Sequence, residues 1–172
     1  MKFLKDLTKQ DLNGKKVLVR VDFNVAIEGD KIIEPFKIEA SRETIDYLLD
    51  NGAKVACFSH RSKEGMSFAG VAKHIGEVLK QELFFVSEVK GPAIQAALAD
   101  HNLILVDNIE LRPEEKKNDP AFTKELAEGF DLYVNDAFAS AHRAYVTRSG
   151  IAQLLPAYAG FVVEKEVEEL SK

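Results

Sequence analysis

The sequence is poor in cysteine: Cys57 is the single one in 172 residues, which excludes a disulfide within the chain. It sits in the apolar stretch Lys54-Val55-Ala56-Cys57-Phe58, so a buried, inert thiol is expected rather than a nucleophile. No cysteine or histidine spacing suits zinc, and there is no GxSxG elbow. Glycine-rich phosphate cradles are missing as well: neither GxGxxG nor GxxxxGK[ST] occurs, so no nucleotide site is visible and neither cofactor nor metal is assigned to this chain. No apolar run reaches the length of a membrane span, and Met1-Lys2-Phe3-Leu4-Lys5-Asp6 lacks the apolar core of a secretory leader. The expectation is a cytoplasmic chain with no membrane partner. Positive charge is not in surplus either. With 23 Lys and Arg against 28 Asp and Glu the net charge is −5, which argues against nucleic acid or an anionic surface as a bulk partner. Any anion bound here must meet a local basic cluster.

What is present is ordinary globular material. A 46% hydrophobic content with 30% charged residues, over this length, suffices for one domain with a full core. The run Lys15-Lys16-Val17-Leu18-Val19-Arg20-Val21 reads as a strand buried on both faces. It exits into Asp22-Phe23-Asn24-Val25, and two readings stand: the Asx residues shape a turn, or they meet a ligand beyond the strand's carboxyl end. A turn at 28–31 and a short extended piece follow. Ile45, Leu48 and Leu49 then mark a helix stopped by Asn51-Gly52. A second strand, 55–58, exits into Ser59-His60-Arg61-Ser62-Lys63, and a helix is predicted over 68–80. Beyond it come a strand at 82–86, a helix at 92–99 and a strand at 102–106 that exits into Asp107-Asn108. The charged segment 111–119 reads as a solvated loop, followed by a helix from Pro120 to about 129 and a strand at 131–134 exiting into Asn135-Asp136. Alternating strands and helices predict an α/β fold, a three-layer, Rossmann-like parallel sheet with helices on both faces. Near the end, a short helix at 151–156, a bend at Ala159-Gly160 and an amphipathic helix over 162–170 are expected. That last helix is either an ordinary terminal helix or a connector to another unit.

The strand exits together offer Asp22, Asn24, His60, Arg61, Lys63, Asp107, Asn108, Asn135, Asp136, His142, Arg143 and Arg148. Cations that hold phosphate and carboxylate, beside Asp and Asn that read hydroxyls, suit a small phosphorylated sugar acid.

Several strings in order resemble one family. Arg20-Val21-Asp22-Phe23-Asn24-Val25, Ser59-His60, Asp107-Asn108, Glu115-Lys116-Lys117-Asn118-Asp119, Asn135-Asp136-Ala137-Phe138 and Ala141-His142-Arg143-Ala144 follow the pattern of phosphoglycerate kinase. Gly160-Phe161-Val162-Val163-Glu164-Lys165-Glu166 resembles that family's run into its interdomain helix. The resemblance covers nearly all of this chain but only the N-terminal half of such an enzyme. It implies a 3-phosphoglycerate-binding domain over 1–160 and the start of an interdomain helix over 161–172. The partner half that binds Mg-ATP is absent from the sequence given. The family's substrate positions fall on Asp22, Asn24, Lys37, His60, Lys63, Glu110 and Arg143, with Lys37 at the position assigned to the transition state.

Three of those positions, and Tyr145 beside them, depart from the family pattern. Lys37 and Lys63 stand where the family has arginine, Tyr145 replaces a histidine, and Glu110 stands where the family has a phosphate-binding arginine. Lysine loses the bidentate fork, and a carboxylate repels phosphate; losing one buried charge partner typically costs about 2–5 kcal/mol. Arg112 shares a face with Glu110 if that segment is extended, so it is a candidate for compensation, as are Arg61 and Arg148. The expectation is an acceptor half that does not turn over alone; the alternative is a non-catalytic binding or scaffold module. Self-association, or docking of a chain bearing the nucleotide half, is expected to use Phe161, Val163 and Val167 if they are partly uncovered.

Overall fold

A computed structural model describes residues 1–29, 31–62, 66–137 and 143–172. Its backbone is a six-stranded sheet in the order β5-β6-β4-β1-β7-β8, every pairing parallel. The strands are β1 (Lys16–Arg20), β4 (Lys54–Phe58), β5 (Phe84–Val86), β6 (Leu103–Val106), β7 (Leu132–Asn135) and β8 (Ala157–Ala159). A small antiparallel hairpin, β2 (Ala26–Glu28) with β3 (Lys31–Ile33), stands apart from it.

Alternation along β1 explains the layering. Val17 and Val19 point into a core shared with helices α1 (Lys9–Leu12), α2 (Phe36–Ala40), α3 (Arg42–Asp50) and α4 (Ala72–Leu79), through Leu12, Ile38, Leu48 and Ile75. Leu18 points the other way, into a core with α5 (Gly91–Asp100) and α6 (Pro120–Ala127), through Leu98 and Phe122. Both faces are therefore apolar, as a parallel sheet requires. The chain leaves β1 for β4 on one side and later places β7 on the other. This reversal makes a topological switch point at the carboxyl end of β1, the position at which open α/β sheets receive ligands in a crevice.

Three expectations need correction. The bend at Ala159 belongs to β8, which pairs with β7 and carries Phe3 on its outer edge; three residues, Ala-Tyr-Ala, are too short to signal a strand. The charged segment 111–119 is not wholly solvated: Glu115 is completely buried, its carboxylate taking hydrogen bonds from the Thr147 amide (2.8 Å) and hydroxyl. The helix expected from residue 68 begins at Ala72.

After the short α7 (Ile151–Leu154), the terminal helix, α8 (Phe161–Leu170), folds back chiefly through its first turn, with Lys165 pairing Glu43 of α3 at 2.8 Å. Phe161 meets Tyr47 edge-on at 5.4 Å, Val163 is 2% exposed and not uncovered as expected, and Glu164 pairs with Lys5 at 2.9 Å. Phe161 and Val167 are partly uncovered, as expected, and the rest of the later turns is exposed, Leu170 being 74% accessible. No helix among the described residues is long and apolar enough to cross a membrane.

Candidate active site

The crevice begins with Arg20, the last residue of β1 and 1% exposed. Beyond it, Asp22 Oδ1 accepts the Asn24 amide (3.1 Å), a local Asx turn. The Ser59 hydroxyl, fully buried after β4, takes the Phe23 amide (2.9 Å), so the two strand exits are tied together. Asn24 Oδ1 accepts the Ser62 amide (2.9 Å) and holds the loop after His60. The Asx pair therefore shapes the turn, as one of the two readings has it, and stands at the carboxyl ends of β1 and β4. The short α2 brings Lys37 alongside, its Nζ 3.5 Å from Asp22 Oδ2 and 3.4 Å from the Asn24 carbonyl.

His60 is half-buried against these groups. Arg20 Nη2 approaches His60 Nδ1 at 3.0 Å. Burial first, and then the Arg20 charge, push the imidazole down to about 4, against the pull of Glu110 and Asp22. The ring is neutral at physiological pH.

Glu110 lies on a 3-10 turn, Ile109–Leu111, capped by Asn108, whose Oδ1 accepts the Glu110 amide (3.0 Å). That turn overturns the extended geometry on which compensation by Arg112 depended. Arg112 faces away, bound to Glu114 (2.7 Å) and the Val89 carbonyl (2.6 Å) and stacked 4.1 Å over the Phe122 ring. Arg61 is likewise committed: it binds the Ser67 carbonyl (2.6 Å) and lies over Phe68. Glu110 instead pairs with Lys116 at 3.5 Å. Arg148 is the candidate whose charge reaches His60; it is 4% exposed, grouped with Arg20, Glu115 and Tyr133.

Two strand exits are structural. Asp107 accepts the Phe68 amide (2.8 Å) and the Ser67 hydroxyl (2.8 Å), while Asn108 holds the Arg61 amide and the Met66 carbonyl. Asn135 Oδ1 folds back onto the Ala137 amide. Asp136, 1% exposed, takes the Thr44 hydroxyl (2.9 Å) and the Val162 amide (3.1 Å), capping α8. Burial pushes its carboxyl up to about 7. Arg143 is exposed and reaches the Tyr145 hydroxyl at 3.5 Å, with no carboxylate partner among the described residues. Lys63 and His142 lie outside the described residues.

The sequence shows Arg20, Glu115 and Asp136 without showing what they do. The signal for Arg20 was present: a lone cation closing an apolar run needs a partner inside. Among the described residues no group of three or more His, Cys, Asp or Glu side chains is placed to hold a metal, and no step is derived through one.

The fold and crevice define a class, the open doubly wound α/β domain with a polar shelf at the carboxyl ends of its strands. The chain belongs to the phosphoglycerate kinase family, whose model, "Phosphoglycerate kinase", matches residues 4–172. Among its relatives, a phosphoglycerate kinase of Moorella thermoacetica is 43% identical over 98% of this chain and 44% of its own length. One of Rubrobacter xylanophilus is 44% identical over 93% of this chain and 43% of its own length. A crystal structure of phosphoglycerate kinase from Pyrococcus horikoshii OT3 superposes with a TM-score of 0.88 at 29% identity, covering 99% of this chain and 45% of that one. The chain thus spans less than half the length of the relatives it matches.

Proposed function

We propose that this chain is the acceptor half of a phosphoglycerate kinase, binding 3-phosphoglycerate at the crevice after β1 and β4. A separate or continuing half would bring Mg-ATP, and the setting is cytoplasmic glycolysis. The observation that carries this reading is the convergence of Asp22, Asn24, Lys37 and His60 beside the topological switch point. Asp22 and Asn24 read the glycerate hydroxyl and carboxylate, Lys37 faces the developing charge of the transferred group, and His60 donates a neutral hydrogen bond. Arg143 and Lys63 are proposed to complete the phosphate contacts. Residues 1–160 form the binding domain, and 161–172 begin a connector, a role that the exposed later turns of α8 suit.

One observation favours a second reading, a non-catalytic module. Glu110 puts a carboxylate near His60, and neither Arg112 nor Arg61 is turned to offset it. The thermal midpoint, followed while 3-phosphoglycerate is added, separates the two. A rise corresponding to millimolar or tighter affinity supports the acceptor half. No rise in the natural chain, but a rise after Glu110→Arg, supports the non-catalytic module.

A further inference from the structure

A guanidinium has five N–H donors and no acceptor. Arg20 Nη2 lies 3.0 Å from His60 Nδ1, and Nη1 reaches the Phe58 carbonyl at 3.4 Å, so the guanidinium is anchored to the end of β4. Nδ1 must therefore accept. A proton on Nδ1 would set two donors head to head, one of them cationic. The single proton of the neutral ring is thus on Nε2.

The charged groups facing the ring come from four places. Arg20 from β1 and Arg148 from the turn at Val146–Gly150 oppose protonation, and burial acts with them. Asp22 beyond β1 and Glu110 beyond β6 favour it. Both carboxylates already have cations, Lys37 and Lys116 respectively, which blunts their pull.

We propose that Arg20 is a positioning residue that locks His60 as a neutral Nε2–H donor, so that the ligand oxygen meets an uncharged hydrogen bond backed by a buried guanidinium. The ligand oxygen rests on the proposed acceptor-half reading; the locked tautomer stands without it. The charge of Arg20 polarises the imidazole from behind, and the ring neither gains nor loses a proton when an anion arrives. An otherwise costly buried cation is in this way connected to the crevice.

The test is nitrogen NMR of the histidine-labelled whole chain between pH 5 and 8. The expected His60 spectrum has Nε2 protonated and Nδ1 bare, with no titration in that window. A proton on Nδ1, or a midpoint near 6.5, overturns the proposal. Arg20→Lys, which keeps a donor, is expected to preserve this signature. Arg20→Met is expected to release it, raising the midpoint by roughly one pH unit or more; an unchanged tautomer and midpoint in folded Arg20→Met also overturns it. If Arg20→Met does not fold, the natural chain's spectrum decides. A locked tautomer with no 3-phosphoglycerate binding refutes the ligand reading alone, whereas binding with a free tautomer refutes the lock alone.

Discussion

Glu110 is the residue on which the proposed affinity for 3-phosphoglycerate turns. Its carboxylate is nearly covered and held by an exposed lysine, Lys116, so its charge reaches His60 only partly neutralised. Glu110→Arg is expected to tighten 3-phosphoglycerate binding by roughly 30-fold or more, the lower end of what a buried charge partner contributes. Calorimetric titration of both proteins measures it. A second prediction concerns protons. His60 is depressed from 6.5 to about 4, so the unfolded chain takes its proton first, and this group's contribution to stability is lost as pH falls from 6.5 toward 4. Asp136 is raised from 3.8 to about 7, so its contribution runs the other way, lost as pH rises through that window, about 4 kcal/mol in all. Between pH 4 and 6.5 the two oppose each other. Asp136→Asn keeps an acceptor for Thr44 and Val162 but removes the charge. Its stability relative to the natural chain is expected to increase from pH 5 to pH 8, as read by denaturant unfolding at both.

At the scale of elements, the end of β7 and the start of α8 form one joint. Asp136 and Thr44 hold the first amides of the helix, and a Cβ on Gly160 would run into Asp136 Oδ1. The backbone of Gly160 is unstrained, so the requirement is space and not conformation. Gly160→Ala is expected to lose about 1–3 kcal/mol and to loosen α8, visible as faster amide exchange at Phe161 and Val162. This joint also shows what the sequence could and could not tell. The strands of the core were legible because β-branched runs buried on both faces announce themselves. So was the meeting of Asp22, Asn24 and His60, because topology alone puts the ends of β1 and β4 side by side. Asp107 and Asp136 looked the same on paper, yet they turn inward to bind amides. An aspartate after a strand serves ligand and backbone equally well, and the choice depends on chain brought from 67–68 and 161–162. Glu115 was hidden in a run of charge for the same reason, its partner Thr147 being far along the sequence. Arg112 was misplaced because a 3-10 turn rotates its neighbours away from the alternation of a strand.

For the molecule as a whole, one α/β unit carries the proposed acceptor site at the carboxyl ends of its strands, with a helix docked beside it mainly by its first turn. The chain alone is expected to produce no ADP from ATP and 3-phosphoglycerate. Mixing it with the separately produced C-terminal half of a relative is expected to restore measurable turnover, lost again in His60→Ala. The observation most directly at stake is where 3-phosphoglycerate binds. In amide NMR spectra of the natural chain, the ligand is expected to shift Asp22, Asn24, Lys37, His60 and Ser62 together, with one millimolar or tighter dissociation constant. Saturating ligand that leaves those five signals in place, or moves a set elsewhere on the sheet, would contradict the assignment.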